Sequence, residues 1–459
     1  MIVMKFGGSS LKDPESLKHI AEIIKANSFS RRVVVLSAVG GITDRLIQAI
    51  DHALHDEEAL GATLNEISGI HEHLVRVSIS DGRIRSSVQK EIQKITTLLK
   101  RLLKGIAYTQ EATPKTCDHI LTLGERMSVH IMSGLLKEIG VKAQAVETDR
   151  IGLIVYGRYG AGNVKQKIAR KNLPDYFHPL FQSGELPVVT GFFGSTEEGF
   201  PITFGRGGSD YSAAILADAL EAERLEIWKD VDGFLSGSPE IVEDGRLLSN
   251  LSYDEAAELA YFGASILHSR TVEPLLDRKI PIVVRNTFHP EGIGTWIGAE
   301  RHRREGVIKS VTFDRNIAML RLHGADVGHA VGLLSSLVSQ LSEKQINIRS
   351  VMTSQTCINI LLDRKDCRQS HHEIQSMELN GIDVIEPVEN IGLVAVVGEG
   401  LFETEGIVAG VIQSLIEKGI HIELISSGAS KVAAYFIVRE DRLKQAVRAV
   451  HETFFGRGE

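Results

Sequence analysis

The sequence predicts an α/β region, an open and largely parallel sheet sandwiched by helices, followed by two α+β units of ferredoxin-like type. Three observations carry this. From residue 1 to about residue 300, short β-rich apolar runs alternate with amphipathic helical patterns, as in strands joined by crossover helices. A stretch rich in glycine and charge at residues 288–305 then breaks the pattern and reads as a boundary. Beyond it two segments repeat at an offset of 74 residues, Gly324 matching Gly398, Ile348 matching Ile422 and Ser354 matching Gly428.

In the first region the expected strands are 2–6, 33–37, 187–191, 225–228 and 280–285. Between the first two, Asp13-Pro14-Glu15 supplies a helix cap followed by proline at the first helical position. Leu17, Ile20, Ile23 and Ile24 then space an apolar stripe for a helix lying on a sheet. In the first repeat, strand 317–322 leads to a helix over 330–344 and strands 346–352 and 358–362. The second repeat has strand 393–397, a helix over 408–418 and strands 420–425 and 432–438. A strand–helix–strand–strand–helix order is ferredoxin-like. Two such units in tandem fit either a regulatory half or a purely structural pair.

Composition narrows the classes. At 459 residues the chain is too long for one core, and two or three domains are expected. The formal net charge of −8 argues against broad nucleic-acid binding. Cys117, Cys357 and Cys367 are three, an odd number without CxxC spacing, so a reducing cytoplasmic setting is expected. The N-terminal apolar run is short for a signal peptide, and no run approaches the length of a membrane span. The 17 histidines are scattered; His71-Glu72-His73 and His371-His372 read as solvated helix faces, and no metal site is expected from them.

The chemistry concentrates in four turns that each follow an expected strand. They are Lys5-Phe6-Gly7-Gly8-Ser9-Ser10, Ser37-Ala38-Val39-Gly40-Gly41-Ile42-Thr43, Thr190-Gly191-Phe192-Phe193-Gly194 and Lys229-Asp230-Val231-Asp232-Gly233. In open α/β sheets ligands bind beyond the carboxyl ends of the strands, so all four would line one crevice. Paired glycines let backbone N–H groups approach an anion closely. One such turn is only a tight turn; four in register, one carrying a lysine, point to a phosphate site. The run Phe204-Gly205-Arg206-Gly207-Gly208-Ser209-Asp210-Tyr211 precedes a helical pattern, with Ser209 or Asp210 as the expected cap. Arg206 is suited to grip a carboxylate or phosphate. There is no Walker loop, no GxGxxG fingerprint and no HRD or DFG set.

KFGGSS near the N terminus, GRGGSDYSAA, EIWKDVDG and SYDEAAELAYFGASILH together resemble the aspartokinases of the amino-acid kinase superfamily, with C-terminal ACT domains. The resemblance spans essentially the whole chain. It implies a catalytic domain over 1–300 and ACT-like regulatory units over 301–390 and 391–459. The implied reaction moves the γ-phosphoryl group of ATP onto the side-chain carboxylate of L-aspartate, with Mg²⁺ arriving on the nucleotide. A carboxylate with pKa about 3.9 is already ionised at neutral pH and needs no general base. By the same resemblance Lys5 faces the transferring phosphoryl group and Asp210 orients Lys5. Ser9, Thr43, Glu125, Arg206, Gly207 and Ser209 take the amino-acid side; Gly7, Gly8, Gly208, Lys229, Asp230 and Ser265 take the nucleotide side. An amino-acid effector and a homo-oligomer formed through the ACT half are implied, with no nucleic acid or membrane partner.

Some positions depart from the family pattern. Its W-T-D-V reads Trp228-Lys229-Asp230-Val231, its tyrosine is Leu235, its D-P-R is Ser238-Pro239-Glu240, and its F-G-A-K lysine is Ser265. Two cations are lost and one anion gained, while Lys229 returns one cation. At the effector turns, where the family carries Gln-Gly-Ser-Ser-Glu, this chain has Thr353-Ser354-Gln355-Thr356-Cys357 and Ser427-Gly428-Ala429-Ser430-Lys431. Two further readings therefore stand beside the first: a kinase of another small acid such as glutamate, and a non-catalytic amino-acid sensor.

Overall fold

Apolar runs in the first region become twelve strands, four of them paired as two hairpins, in the computed structural model, which describes residues 1–263, 266–302, 307–325, 327–377, 379 and 381–456. In chain order they are β1 (Ile2–Phe6), β2 (Arg32–Leu36), β3 (Ala143–Val146), the hairpin β4 (Val155–Arg158) with β5 (Ala161–Val164), β6 (Leu186–Thr190), the hairpin β7 (Phe193–Ser195) with β8 (Pro201–Thr203), β9 (Arg224–Lys229), β10 (Asn250–Ser252), β11 (Ile282–Asn286) and β12 (Thr295–Gly298). Eight of them form one sheet in the order β10-β12-β11-β9-β1-β2-β6-β3. Every pairing is parallel except β11 with β12. The largely parallel sheet expected from the alternation is present, with strand ends moved by one or two residues.

The pleat of β1 sorts its side chains. Ile2, Met4 and Phe6 enter the core shared with α1 (Pro14–Ala26), α2 (Ile42–His55), α3 (Glu57–Ser78), α4 (Gly82–Thr109) and the helices α5 (Pro114–Leu121) and α6 (Leu123–Glu138). Val3 and Lys5 therefore point to the other face. Two helices pack together there, α7 (Gln166–Gln182) and α8 (Gly208–Ala219), and α8 lies against β1, β2 and β9. All twelve residues of α8 are buried. The short α9 (Tyr253–Tyr261) follows β10. Asp13 caps α1 as expected, its Oδ1 accepting from the Ser16 N–H at 2.8 Å.

His71 corrects the sequence reading. On α3 its ring is fully buried, not solvated, and Nδ1 lies 2.7 Å from the Ile67 carbonyl one turn back. The local polarity of Glu72 and His73 hid a heptad-like inward position.

The chain divides into two compact units: the one built on the sheet just described, and a second holding Leu235–Arg246, Tyr261–Ala264 and the chain from His302 onward. The second contains two four-stranded antiparallel sheets. Its strands are β13 (Ser310–Asp314), β14 (Ile317–His323), β15 (Ile348–Thr353), β16 (Cys357–Asp363), β17 (Val384–Val388), β18 (Ile391–Val397), β19 (Ile422–Ser426) and β20 (Ala433–Arg439). Its helices are α10 (Leu333–Glu343), α11 (Cys367–Gln375), α12 (Ile407–Glu417) and α13 (Leu443–Phe455). The sheet orders are β15-β16-β14-β17 and β19-β20-β18-β13.

These orders are equivalent under the 74-residue offset, with one exchange. The strand preceding each repeat pairs with the other one: β13 lies beside β18, and β17 beside β14. The division at 390 groups Ser310–Asp314 with the first repeat, whereas its hydrogen bonds run in the second sheet. The glycines matched in sequence show why the offset persists. A Cβ on Gly324 would meet the Gly381 carbonyl oxygen at 1.8 Å, and one on Gly398 would meet that of Val307 at 2.1 Å. Each glycine admits the backbone leading into its borrowed edge strand.

Candidate active site

At the carboxyl ends of β1 and β9, Lys5 and Lys229 converge on Asp210. Lys5 Nζ is 2.5 Å from Asp210 Oδ1, and Lys229 Nζ is 3.6 Å from Oδ2. Asp210 stands in the first turn of α8, carried there by the glycine run before it. Gly207 takes a left-handed φ of +68° as the residue preceding the helix, so the cap is Gly207 and neither Ser209 nor Asp210. This frees the Asp210 carboxylate to turn toward the lysines. Its burial works against ionisation, yet Lys5 and then Lys229 outweigh that and hold the carboxyl below the usual aspartate range. Burial, reinforced by Lys5, lowers Lys229 despite the opposing pull of Asp210.

The glycine turns are tightly fitted. A Cβ on Gly8 would sit 2.8 Å from the Ala38 carbonyl oxygen, and one on Gly40 would sit 3.0 Å from that of Gly8, so the first two turns touch. The third turn reaches α8, because a Cβ on Gly191 would strike Ser209 at 2.7 Å. Gly7 is buried, Gly8 half-buried and Ser9 exposed beside them; Thr43 is half-buried in the first turn of α2. All four turns line one rim, as their positions after strands imply.

Glu125, in the first turn of α6, is 2 % exposed, and its Oε1 accepts from the Ala38 N–H at 3.1 Å. Its Oε2 is buried with no hydrogen-bond partner among the described residues. Burial raises its pKa to about 8. Arg126 turns away, pairing with Glu147 and, at 2.6 Å, with Asp149. Arg206 and Asp230 are exposed at the rim, while Gly208 and Ser209 are buried at the helix start. Ser265 lies outside the described residues.

His268 and Asp118, not singled out in the sequence, and Phe192 within the third turn add to this picture. His268 abuts the glycine run: a Cβ on Gly207 would lie 2.2 Å from the His268 Cβ. Its Nδ1 accepts from the Arg270 N–H at 3.3 Å, and burial lowers its pKa. Phe192 adopts a left-handed φ of +74° beside Gly208. Asp118 ties two loops together, accepting from the N–H groups of Gly160 at 2.9 Å and Thr203 at 2.8 Å. The signal for His268 was present inside the SILH run, but nothing in spacing linked it to Gly207. Two of the departures noted above fall in the second unit. There, Glu240 pairs with Arg315 at 2.7 Å and the Leu235 carbonyl accepts from Ser310 Oγ at 2.8 Å.

A parallel sheet whose rim gathers glycine turns, one buried and one half-buried lysine and a positioning carboxylate defines a phosphoryl-transfer class, and residues 1–286 match the amino acid kinase family. Residues 394–454 match an ACT domain. The chain is 33% identical to aspartokinase 1, chloroplastic, of Arabidopsis thaliana, over all of this chain and 80% of that protein. It is 32% identical to aspartokinase 2, chloroplastic, of the same plant, over 99% of this chain and 84% of the relative. Among solved structures it resembles E. coli aspartokinase III in complex with aspartate and ADP, with a TM-score of 0.87 and 27% identity over 99% of this chain and 100% of that one. The chain belongs to the aspartokinases.

Proposed function

We propose that this protein transfers the γ-phosphoryl group of MgATP to the side-chain carboxylate of L-aspartate, yielding 4-phospho-L-aspartate and ADP. The observation that carries the reading is the buried contact of Lys5 with Asp210 at the meeting of the glycine turns. The obstacle to reaction is repulsion between a carboxylate and a triphosphate, so catalysis rests on positioning and charge neutralisation. Lys5 faces the transferring group, and Asp210 positions Lys5 without accepting a proton. Gly7, Gly8 and Gly208 offer backbone N–H groups to the nucleotide, with Lys229 and Asp230 beside them. Glu125, through the buried oxygen that has no hydrogen-bond partner among the described residues, receives the α-ammonium of aspartate, and Arg206 receives a carboxylate. Ser9, Thr43, Gly207 and Ser209 complete that side. Magnesium is carried as part of the nucleotide substrate.

Residues 1–300 form the catalytic part in this reading, and the two ferredoxin-like sheets form an ACT-type regulatory part that binds an amino acid and supports a homo-oligomer. E. coli aspartokinase III is known in complex with lysine and aspartate, which supports an aspartate-family effector here. Among the described residues no helix is long and apolar enough to cross a membrane. Three free cysteines support a cytoplasmic setting. Trapping the acyl phosphate with hydroxylamine tests the assignment: hydroxamate should form with MgATP and aspartate. Hydroxamate from glutamate alone would transfer the assignment to that acceptor, and none from either would leave the sensor reading.

A further inference from the structure

In the part of the rim withdrawn from water two cations face one carboxylate, while Asp230 lies exposed in the turn after β9. Lys5, Lys229 and Asp210 place two ammonium groups on one carboxylate, with side-chain exposures of 6%, 18% and 5%. Buried charge is costly unless it is matched, so a net positive cluster withdrawn from water calls for a further anion. Geometry says which part of the anion. Phe6 of β1 lies in register with Trp228 of β9, so Lys5 and Lys229 sit one residue to either side of the same rung. They bracket the two oxygens of a single carboxylate, and a compact anion held by one ammonium is within reach of the other.

We propose that Lys229 is a second catalytic lysine, whose ammonium shares the γ-phosphoryl group in transit with that of Lys5 while Asp210 positions both. This rests on the kinase reading and deepens it, taking Lys229 beyond nucleotide binding. In the step itself, an acceptor carboxylate oxygen forms a bond to the γ-phosphorus as the bond to the β–γ bridging oxygen breaks. ADP leaves with that electron pair, and no proton moves. The charge spread over the three equatorial oxygens is what two ammonium groups can meet and one cannot fully cover. Lys229 stands where the aspartokinase pattern has threonine, in a chain whose F-G-A-K lysine is Ser265.

Lys229 is faced by Lys5 from β1, Asp210 from α8, Asp230 in the turn after β9, and the imidazole of His268 across from α8. Burial and Lys5 lower its pKa, so protonated Lys229 should be lost on the alkaline side before an exposed lysine would be. The test uses full-length Lys229→Met and Lys229→Arg, measured by hydroxamate formation with MgATP varied and pH raised from neutral. Lys229→Met should lose about 10²–10³-fold in kcat. Its KM for MgATP should change by less than about tenfold, as expected for an interaction made mainly in the transition state. Lys229→Arg should recover much of that loss, and the alkaline fall in kcat should move to higher pH because guanidinium stays charged. A folded Lys229→Met that keeps kcat within about threefold of the parent overturns the proposal, leaving Lys229 as a nucleotide anchor. If Lys229→Met does not fold, the arginine variant decides: an alkaline limb that stays where it was is equally fatal. Absence of aspartate-dependent hydroxamate from the unaltered protein is a separate result and removes the kinase reading beneath the proposal.

Discussion

At Lys5 the pleat of one strand decides the chemistry. An apolar strand buried on both faces has no place for an ammonium unless a carboxylate waits on the same side, and Asp210 supplies it. Lys5→Ala should lower kcat about 10²–10³-fold, measured by acyl-phosphate trapping, with the fold retained. Glu125 gives a prediction with a sign. Its pKa of about 8 without ligand means that most of it is protonated at pH 7. Only the carboxylate attracts an ammonium, so aspartate binding should release a proton and tighten with rising pH until about pH 8. At pH 7 the cost is about tenfold in affinity, one pKa unit being ~1.4 kcal/mol. Calorimetry in two buffers of different ionisation heat measures the release; equal heats in both would refute it. Glu125→Gln should abolish the release. Lys5, Asp210, the paired glycines and Arg206 were legible in the sequence because their motifs are contiguous. The burial of Glu125 and the approach of His268 to Gly207 were not, since both depend on residues brought together from distant segments.

The elements add constraints that no single residue states. The α8 start needs the left-handed Gly207, and any side chain there meets His268. Gly207→Ala should cost about 1–2 kcal/mol in backbone strain alone and more from the clash. Activity should fall further than stability, because Asp210 is three residues on; a denaturant melt beside a kinetic assay separates the two. On α3, His71 is held neutral, its pKa lowered to about 4 by burial. Its unfolded pKa is near 6.5, so the unfolded chain binds more protons between these values. Stability is then fully present above about pH 6.5 and falls as pH drops toward 4, by up to ~1.4 kcal/mol per pH unit. Replacing His71 with methionine should flatten that part of the stability–pH curve, measured by urea unfolding. Strand–helix alternation and the Asp13 cap were readable at this scale because period and capping are local. The inward turn of His71 was not, since its neighbours in sequence are polar.

For the whole molecule the two-part organisation was visible as a change of texture near residue 300, and the repeat offset gave both ferredoxin-like units. The exchange of β13 and β17 was invisible: two edge strands of equal length can pair with either sheet, and the Gly324 and Gly398 contacts admit the backbone leading into each. The departures at Leu235 and Glu240 fall in Leu235–Arg246, which belongs to the second unit, where Glu240 pairs with Arg315. The loss of a cation at Glu240 should therefore weigh little on MgATP affinity, and Glu240→Arg should leave the KM within about threefold. If the ACT-type part is regulatory, lysine or threonine should bind and shift aspartate affinity, with a coupling of about 1–3 kcal/mol that aspartate returns in kind. Calorimetry without heat for any aspartate-family amino acid would remove that function while leaving the kinase intact. The central claim is that two lysines and a positioning carboxylate let a carboxylate and a triphosphate meet. Phosphorus NMR of the protein with MgATP and aspartate tests it directly. An acyl phosphate appearing in step with ADP is the expected result; ADP with inorganic phosphate from the first time point, or an unchanged ATP spectrum, would contradict it.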